Sequence, residues 1–245
     1  MYVVAAAARS DADELQRSSP DLWREVRRFN RPVQLAVAAC NEVACFARDP
    51  KASALVALAP CQGGSPQLFR SAESFARREP DDVTPFRLNP IYTLHAVDNL
   101  ALSAMAIALG HHGYGVGFGG AAGQAWEALD LARERLERGA EREVLLFAGD
   151  QQDSFRDGDA LGVALLLAVE PRRFAKTAHS VAVERLEWTP CDSTPVAPHA
   201  ARGLLEWVRA LQSAPSGRFR HVVDAVDGDG SSRVTLHGEV SCVTS

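Results

Sequence analysis

The sequence predicts a layered α/β fold, a sheet covered by helices, and three observations predict it. Short apolar runs such as SALVAL (53–58), VLLFA (144–148) and LGVALLLAV (161–169) read as buried strands. Longer stretches of helical character separate the earlier ones. The segment 110–150, GHHGYGVGFGGAAGQAWEALDLARERLERGAEREVLLFAGD, reads as a glycine-rich strand, a sharp turn, a long helix and a second strand. Two strand–helix alternations followed by that segment point to a parallel-type sheet.

The elements follow in order. Residues 2–8 form a first strand and 22–28 a short polar helix. Pro32 opens a second helix, tolerated there because its missing N–H is unneeded in the first turn. That helix runs through LAVAACNEVACFA to about residue 47 and is apolar almost all round, which means burial. The strand at 53–58 leads into the loop CQGGSP, then a more polar helix at 68–78. Residues 80–90 are a loop rich in Pro and Asp, and 92–109 a helix made largely of Ala and Leu. After the glycine segment, the strands at 144–148 and 161–169 are joined by QQDSFRDGDA. A further strand at 181–188 precedes a Pro-rich boundary at 190–198. Beyond it lie a helix at 200–211 and strands at 220–226 and 233–239.

Composition narrows the function. A chain of 245 residues can bury a substantial core, and its formal net charge of −5 argues against nucleic-acid binding, which needs a basic surface. No apolar run approaches the roughly 20 residues needed to span a bilayer. The start, MYVVAAAARSDADEL, lacks the basic region of a secretion signal. Cys40, Cys45, Cys61, Cys191 and Cys242 contain no CxxC pair and are odd in number, so neither a disulfide framework nor a zinc site is expected. A cytoplasmic location, with no metal and no cofactor, is the expectation.

Several motifs have plain structural explanations. Gly115, Gly117 and Gly120 satisfy GxGxxG, but a helix precedes them and the glycines fall within the strand itself, so a dinucleotide-binding oxidoreductase is a secondary alternative. His111 and His112 are adjacent and point apart, as at a solvated helix end. Asp227 and Asp229 belong to a hairpin turn rather than a calcium loop, because no glutamate closes the loop. The arginines at 24, 27, 28 and 31, and at 133, 135 and 138, read as solvated helix faces. Cys61 lies in a loop after a buried strand, a position that suits a nucleophile, and a divergent active acyltransferase using it is the first alternative. Neither a GxSxG elbow nor a P-loop is present.

Over roughly residues 27–170 the chain resembles a β-ketoacyl synthase of the thiolase-like superfamily. RRFNRPVQLAVAACNEVA is similar to the family's early helix, and ALVALAPCQGG to its strand ending in a glycine-rich loop. VTPFRLNP resembles its Ser-Pro-Phe loop, and Asn99 stands where the family keeps an asparagine. EREVLLFAGDQ and ALGVALLLAVEP resemble its two strands after the nucleophile helix. Counting without gaps through the glycine strand brings the family's cysteine position to Ala122.

The resemblance implies a thiolase-like fold with a central mixed sheet: one half of a ketosynthase at 1–175 and a short C-terminal extension, packed on the same core, at 176–245. It also implies no catalysis. A nucleophile belongs at the start of the helix, where free N–H groups and the dipole lower a thiol's pKa. Ala122 replaces it, and the family's two histidines lie in a second half that this chain ends before reaching. His179, His199, His221 and His237 receive no catalytic role. The implied protein is a truncated, catalytically inactive chain-length factor, as in aryl polyene type II synthases. It would form a heterodimer with a full-length ketosynthase and serve an acyl carrier protein through that complex, in polyketide, aryl polyene or fatty-acid-like biosynthesis. Tyr114, Gly115, Val116, Gly117 and Phe118 would form the interface strand, with glycines that let the partner's backbone approach. Leu94, Val97, Asp98, Asn99 and Leu100 would start the interface helix. Leu94, Val97 and Leu100 would line or cap the partner's tunnel, Asn99 would fix the helix through side-chain hydrogen bonds, and Asp98 would face a partner arginine or solvent.

Overall fold

The computed structural model describes residues 1–60, 99–120, 122–151, 160–172, 179–191, 200–213, 215–227 and 230–242, with positions 73, 76 and 77. Along the chain these form β1 (Tyr2–Arg9), α1 (Asp13–Ser18), α2 (Pro20–Val26), α3 (Arg31–Ala44), β2 (Ala54–Leu58), α4 (Leu100–Leu109), β3 (Gly115–Phe118), α5 (Ala122–Glu137), β4 (Glu143–Gln151), β5 (Ala160–Ala168), β6 (His179–Pro190), α6 (Ala200–Ser213), β7 (Gly217–Asp227) and β8 (Gly230–Cys242).

All eight strands belong to one sheet, in the order β3-β2-β4-β5-β1-β6-β8-β7. β2 runs parallel to both β3 and β4. Every other pairing is antiparallel. The sheet is therefore mixed, as the family resemblance implied, and the parallel-type sheet inferred from strand–helix alternation holds only for its β3-β2-β4 end. The reason is local: only eight residues separate the end of β4 from the start of β5, fewer than the crossover a parallel pair needs, so the chain returns antiparallel. β7 and β8 form the expected hairpin.

Helices cover both faces. On one, α3 lies across β1, β4 and β5, and α4 across β2 and β3. Pro32 sits in the first turn of α3, and the Asn30 side chain caps it by accepting the Val33 N–H at 3.2 Å. Ten of its fourteen residues are buried, as its all-round apolar pattern demands. The glycines Gly149 and Gly162, paired across β4 and β5, admit the start of α3 to the sheet. A Cβ at either would fall 2.1 Å from the carbonyl oxygen of Pro32 or Leu35.

On the other face, α5 and α6 pack on each other and on β4, and β7 also contacts α5. Trp126 of α5 and Trp207 of α6, both fully buried, meet edge to face with ring centroids 6.1 Å apart. The hydrophobic cluster on this face holds β1, β2, β4 and β5 residues together with Val181, Leu204, Val234 and Leu236. Residues beyond 175 thus share the core built by the earlier part of the chain. α1 was not anticipated: it is a six-residue helix burying only Leu15, too short to show a periodic stripe.

Candidate functional site

The site is the end of the sheet formed by β3, flanked by α4 on one face and the start of α5 on the other. Among the described residues β3 is the last strand in the order and pairs only with β2. Its alternation is strict. Val116 and Phe118, with Tyr114 just before them, pack toward the cluster that contains α5. The glycines face α4. A Cβ at Gly115 would lie 3.6 Å from Leu102, an ordinary contact, but one at Gly117 would lie 1.8 Å from Asn99 Oδ1. At Gly117 the absence of a side chain is explained by the start of α4 seated on the strand. Two of the GxGxxG glycines lie inside β3, and of these packing requires only Gly117.

Asn99 occupies the N-cap of α4 but makes no capping hydrogen bond; its carboxamide lies over Gly117 instead. A Cβ at position 117 would collide with that carboxamide. Leu100 is the first helical residue and is partly buried. Leu94, Val97 and Asp98 lie outside the described residues. α4 itself is nearly all apolar, yet only Ala101 and Met105 are buried, and Ile107 is 78% exposed. An apolar helix at an open sheet end presents a surface that a water-soluble monomer ordinarily covers.

The start of α5 completes the site. Ala122 is its first residue, preceded by Gly119 and Gly120. The Ala200 N–H at the head of α6 donates to the Gly120 carbonyl at 3.2 Å, so two helix N-termini meet at this turn. A Cβ at Gly119 would lie 2.5 Å from Gln124 Oε1. Residues 119–123 read GGAAG, so the turn offers no thiol, hydroxyl or imidazole. The described cysteines lie elsewhere. Cys40 is buried in α3, where desolvation pushes its thiol well above the ordinary range. Cys45 is exposed at the end of α3, with its thiol directed at the Asn41 carbonyl at 3.5 Å. Cys191 follows β6. Cys61, the alternative nucleophile, lies outside the described residues.

Neighbouring charges stiffen the site. The Arg135 guanidinium stacks 3.5 Å over the Tyr114 ring and pairs with Glu141 at 2.9 Å, holding the entry to β3 against α5. Arg133 bridges Asp130 and Glu137, and Arg138 pairs with Glu134, so these arginines serve their own helix. His111 departs from its expected solvated role: its Nε2 lies 2.9 Å from the Ser53 carbonyl, tying the end of α4 to the start of β2. His179, His221 and His237 lie on β6, β7 and β8, with His237 Nε2 beside Glu187 at 3.1 Å; His199 lies outside the described residues. Among the described residues no cluster of three or more His, Cys, Asp or Glu is placed to hold a metal ion. No described helix is long and apolar enough to cross a membrane.

Sequence reading missed the Asn99–Gly117 contact and the meeting of α5 with α6. Gly117 inside a strand pattern was the signal for the first. The second joins residues 80 positions apart and leaves no local trace.

By sequence, no family model and no curated protein matches the chain. By structure, it is similar to the ishigamide ketosynthase/chain length factor, at 16% identity and a TM-score of 0.57 over 93% of this chain and 85% of that one. It is also similar to AntDE:AntF, a type II PKS acyl-carrier protein in complex with its ketosynthase, at 9% identity and a TM-score of 0.65 over 97% and 99%. A β-ketoacyl synthase from Burkholderia phymatum aligns at 11% identity and a TM-score of 0.58 over 89% and 84%. The chain thus has the thiolase-like α/β fold of ketosynthases and chain-length factors.

Proposed function

We propose that the protein is a catalytically inactive ketosynthase-like subunit that pairs with an active β-ketoacyl synthase and shapes the tunnel holding its growing acyl chain. The observation that carries this reading is Ala122 at the head of α5. In a thiolase-like fold the helix start supplies the dipole and free N–H groups that activate a thiol, and here there is nothing to activate. The open edge of β3 and the uncovered apolar surface of α4 support a partner at this end. On this reading residues 1–175 are the ketosynthase-like half and 176–245 an extension, and an acyl carrier protein is met through the complex. The setting is polyketide, aryl polyene or fatty-acid-like synthesis.

Leu94, Val97 and Leu100 then bound the far end of the partner's tunnel, where bulk sets the longest chain accepted. Asp98 faces a partner arginine or solvent, because an unpaired carboxylate against an apolar wall is costly. Co-expression with a ketosynthase tests both parts. The two chains should co-purify, and Val97→Phe or Leu100→Phe should shorten the products while the heterodimer persists. Normal assembly with unchanged product lengths would remove the measuring role. Failure to co-purify would remove the proposal itself.

A further inference from the structure

α5 is enclosed by β2, β4, α6 and β7, yet one of its faces stays half-exposed. Glu127, Asp130, Leu131 and Glu134 share that face through their spacing of three and four. Two distant parts of the sheet approach each other across it. Phe118 ends β3 and Trp188 belongs to β6; four strands separate these two in the sheet order, yet both wall one groove along α5. The sheet therefore curls around the helix, and the groove of about 480 Å³ is the gap it leaves. Phe118, Leu131 and Trp188 give it apolar walls, and Glu127, Asp130 and Glu134 give it carboxylates. Among the described residues no cation lines it. Arg133 and Arg138, which pair with Asp130 and Glu134, sit elsewhere on the helix. Solvent-accessible ion pairs within one helix are weak and leave the carboxylates able to take a further cation. Trp188 is 37% exposed, although Val234, opposite it in the ladder, is fully buried.

We propose that this groove receives a segment of the ketosynthase partner that carries a lysine or arginine among apolar residues. The cation stacks on the Trp188 indole within reach of the α5 carboxylates, and its apolar neighbours pack against Phe118 and Leu131. The proposal rests on a ketosynthase pairing along β3 and adds a second contact to it. Phe118 belongs to both surfaces, so a chain lying along β3 meets the groove where the strand ends. Trp188 comes from the part of the chain beyond residue 175, which thereby helps to select the partner by charge. The groove stays open to water, as the exposure of Trp188 shows, so a free cation is held weakly. A side chain already tethered at β3 is presented at high effective concentration. Nucleic acids and acidic protein surfaces are repelled by the three carboxylates.

The test is the affinity of the full chain for a co-expressed ketosynthase, measured by sedimentation at low and at high salt. Trp188→Leu keeps an apolar wall but removes the ring face, and should weaken the complex about fivefold or more. Glu127→Gln combined with Glu134→Gln should weaken it at low salt and flatten its salt dependence. Circular dichroism and thermal midpoint should match the parent chain, since all three side chains are at least partly exposed. A photo-cross-linking residue in place of Trp188 should link to a ketosynthase peptide that contains lysine or arginine. Unchanged affinity and salt dependence in these variants, or links to a peptide without a cation, would overturn the inference. Micromolar binding of free arginine amide that Trp188→Leu abolishes would also overturn it, by making the groove a small-cation site. If the complex forms but ignores these changes, only this contact fails. A ketosynthase that never co-purifies removes the pairing itself, and the inference with it.

Discussion

Two pairs of glycines lie beneath helices on the same face of this sheet, and they end differently. Gly149 and Gly162 lie under α3 in the middle, on strands bonded on both sides. Gly115 and Gly117 lie under α4 at the end, on a strand that among the described residues is bonded on one side only. α3 buries most of its surface; α4 buries little beyond Ala101 and Met105. The middle of the sheet is complete within one chain. The β3 end is built with the same device, a helix seated on bare backbone, but among the described residues no strand pairs with its outer edge, and α4 keeps Ile107 exposed.

Substitution at the glycines should break the two regions unequally. Gly162→Ala drives a Cβ into the backbone of α3 at Leu35, so unfolding free energy should fall by about 3 kcal/mol or more in denaturant titration. Gly115→Ala, with Leu102 at an ordinary 3.6 Å, should change it by less than about 1 kcal/mol. Equal losses at both positions would show that β3 is as tightly enclosed as β5.

The same contrast runs through α4. Met105→Ala removes a fully buried side chain and should cost about 2–4 kcal/mol. Ile107→Ala, at 78% exposure, should stay within about 0.5 kcal/mol in the isolated chain, yet weaken assembly measured by sedimentation. An Ile107 variant that assembles normally would take this surface out of the interface.

The smallest effect concerns pH at the opposite end of the strand order. Burial lowers the His221 pKa on β7, against a weaker opposing pull from Glu206. The folded chain then binds fewer protons at this ring than the unfolded chain, so this contribution is neutral above the ordinary histidine range and destabilising as pH falls through about 6.5. His221→Gln should flatten that part of the stability–pH curve, leaving stability at pH 8 nearly unchanged. An unaltered slope would mean the ring is effectively solvated.

Much of this architecture was legible because local patterns carried it. The runs ALVAL, VLLFA and ALLLA have the composition of strands buried on both faces. Pro32 marked the start of α3, and an ungapped count placed Ala122 at the head of α5. What failed depended on distant partners. The antiparallel return of β5 is set by the connection after β4, and no residue within either strand announces its direction. Gly149 and Gly162 were hidden inside strand patterns, because their meaning lies in α3 more than 100 positions earlier. The family resemblance gives Asn99 a hydrogen-bonding role early in its helix, and only the fold shows how close its amide lies to Gly117.

Intact-protein mass spectrometry of the chain, alone and co-purified with a ketosynthase, after incubation with acyl-loaded carrier protein tests the central claim most directly. The account predicts that the ketosynthase gains the acyl mass in the complex and that this chain keeps its unmodified mass in both samples. An acyl adduct on this chain, above all one mapped to Cys61, would contradict it.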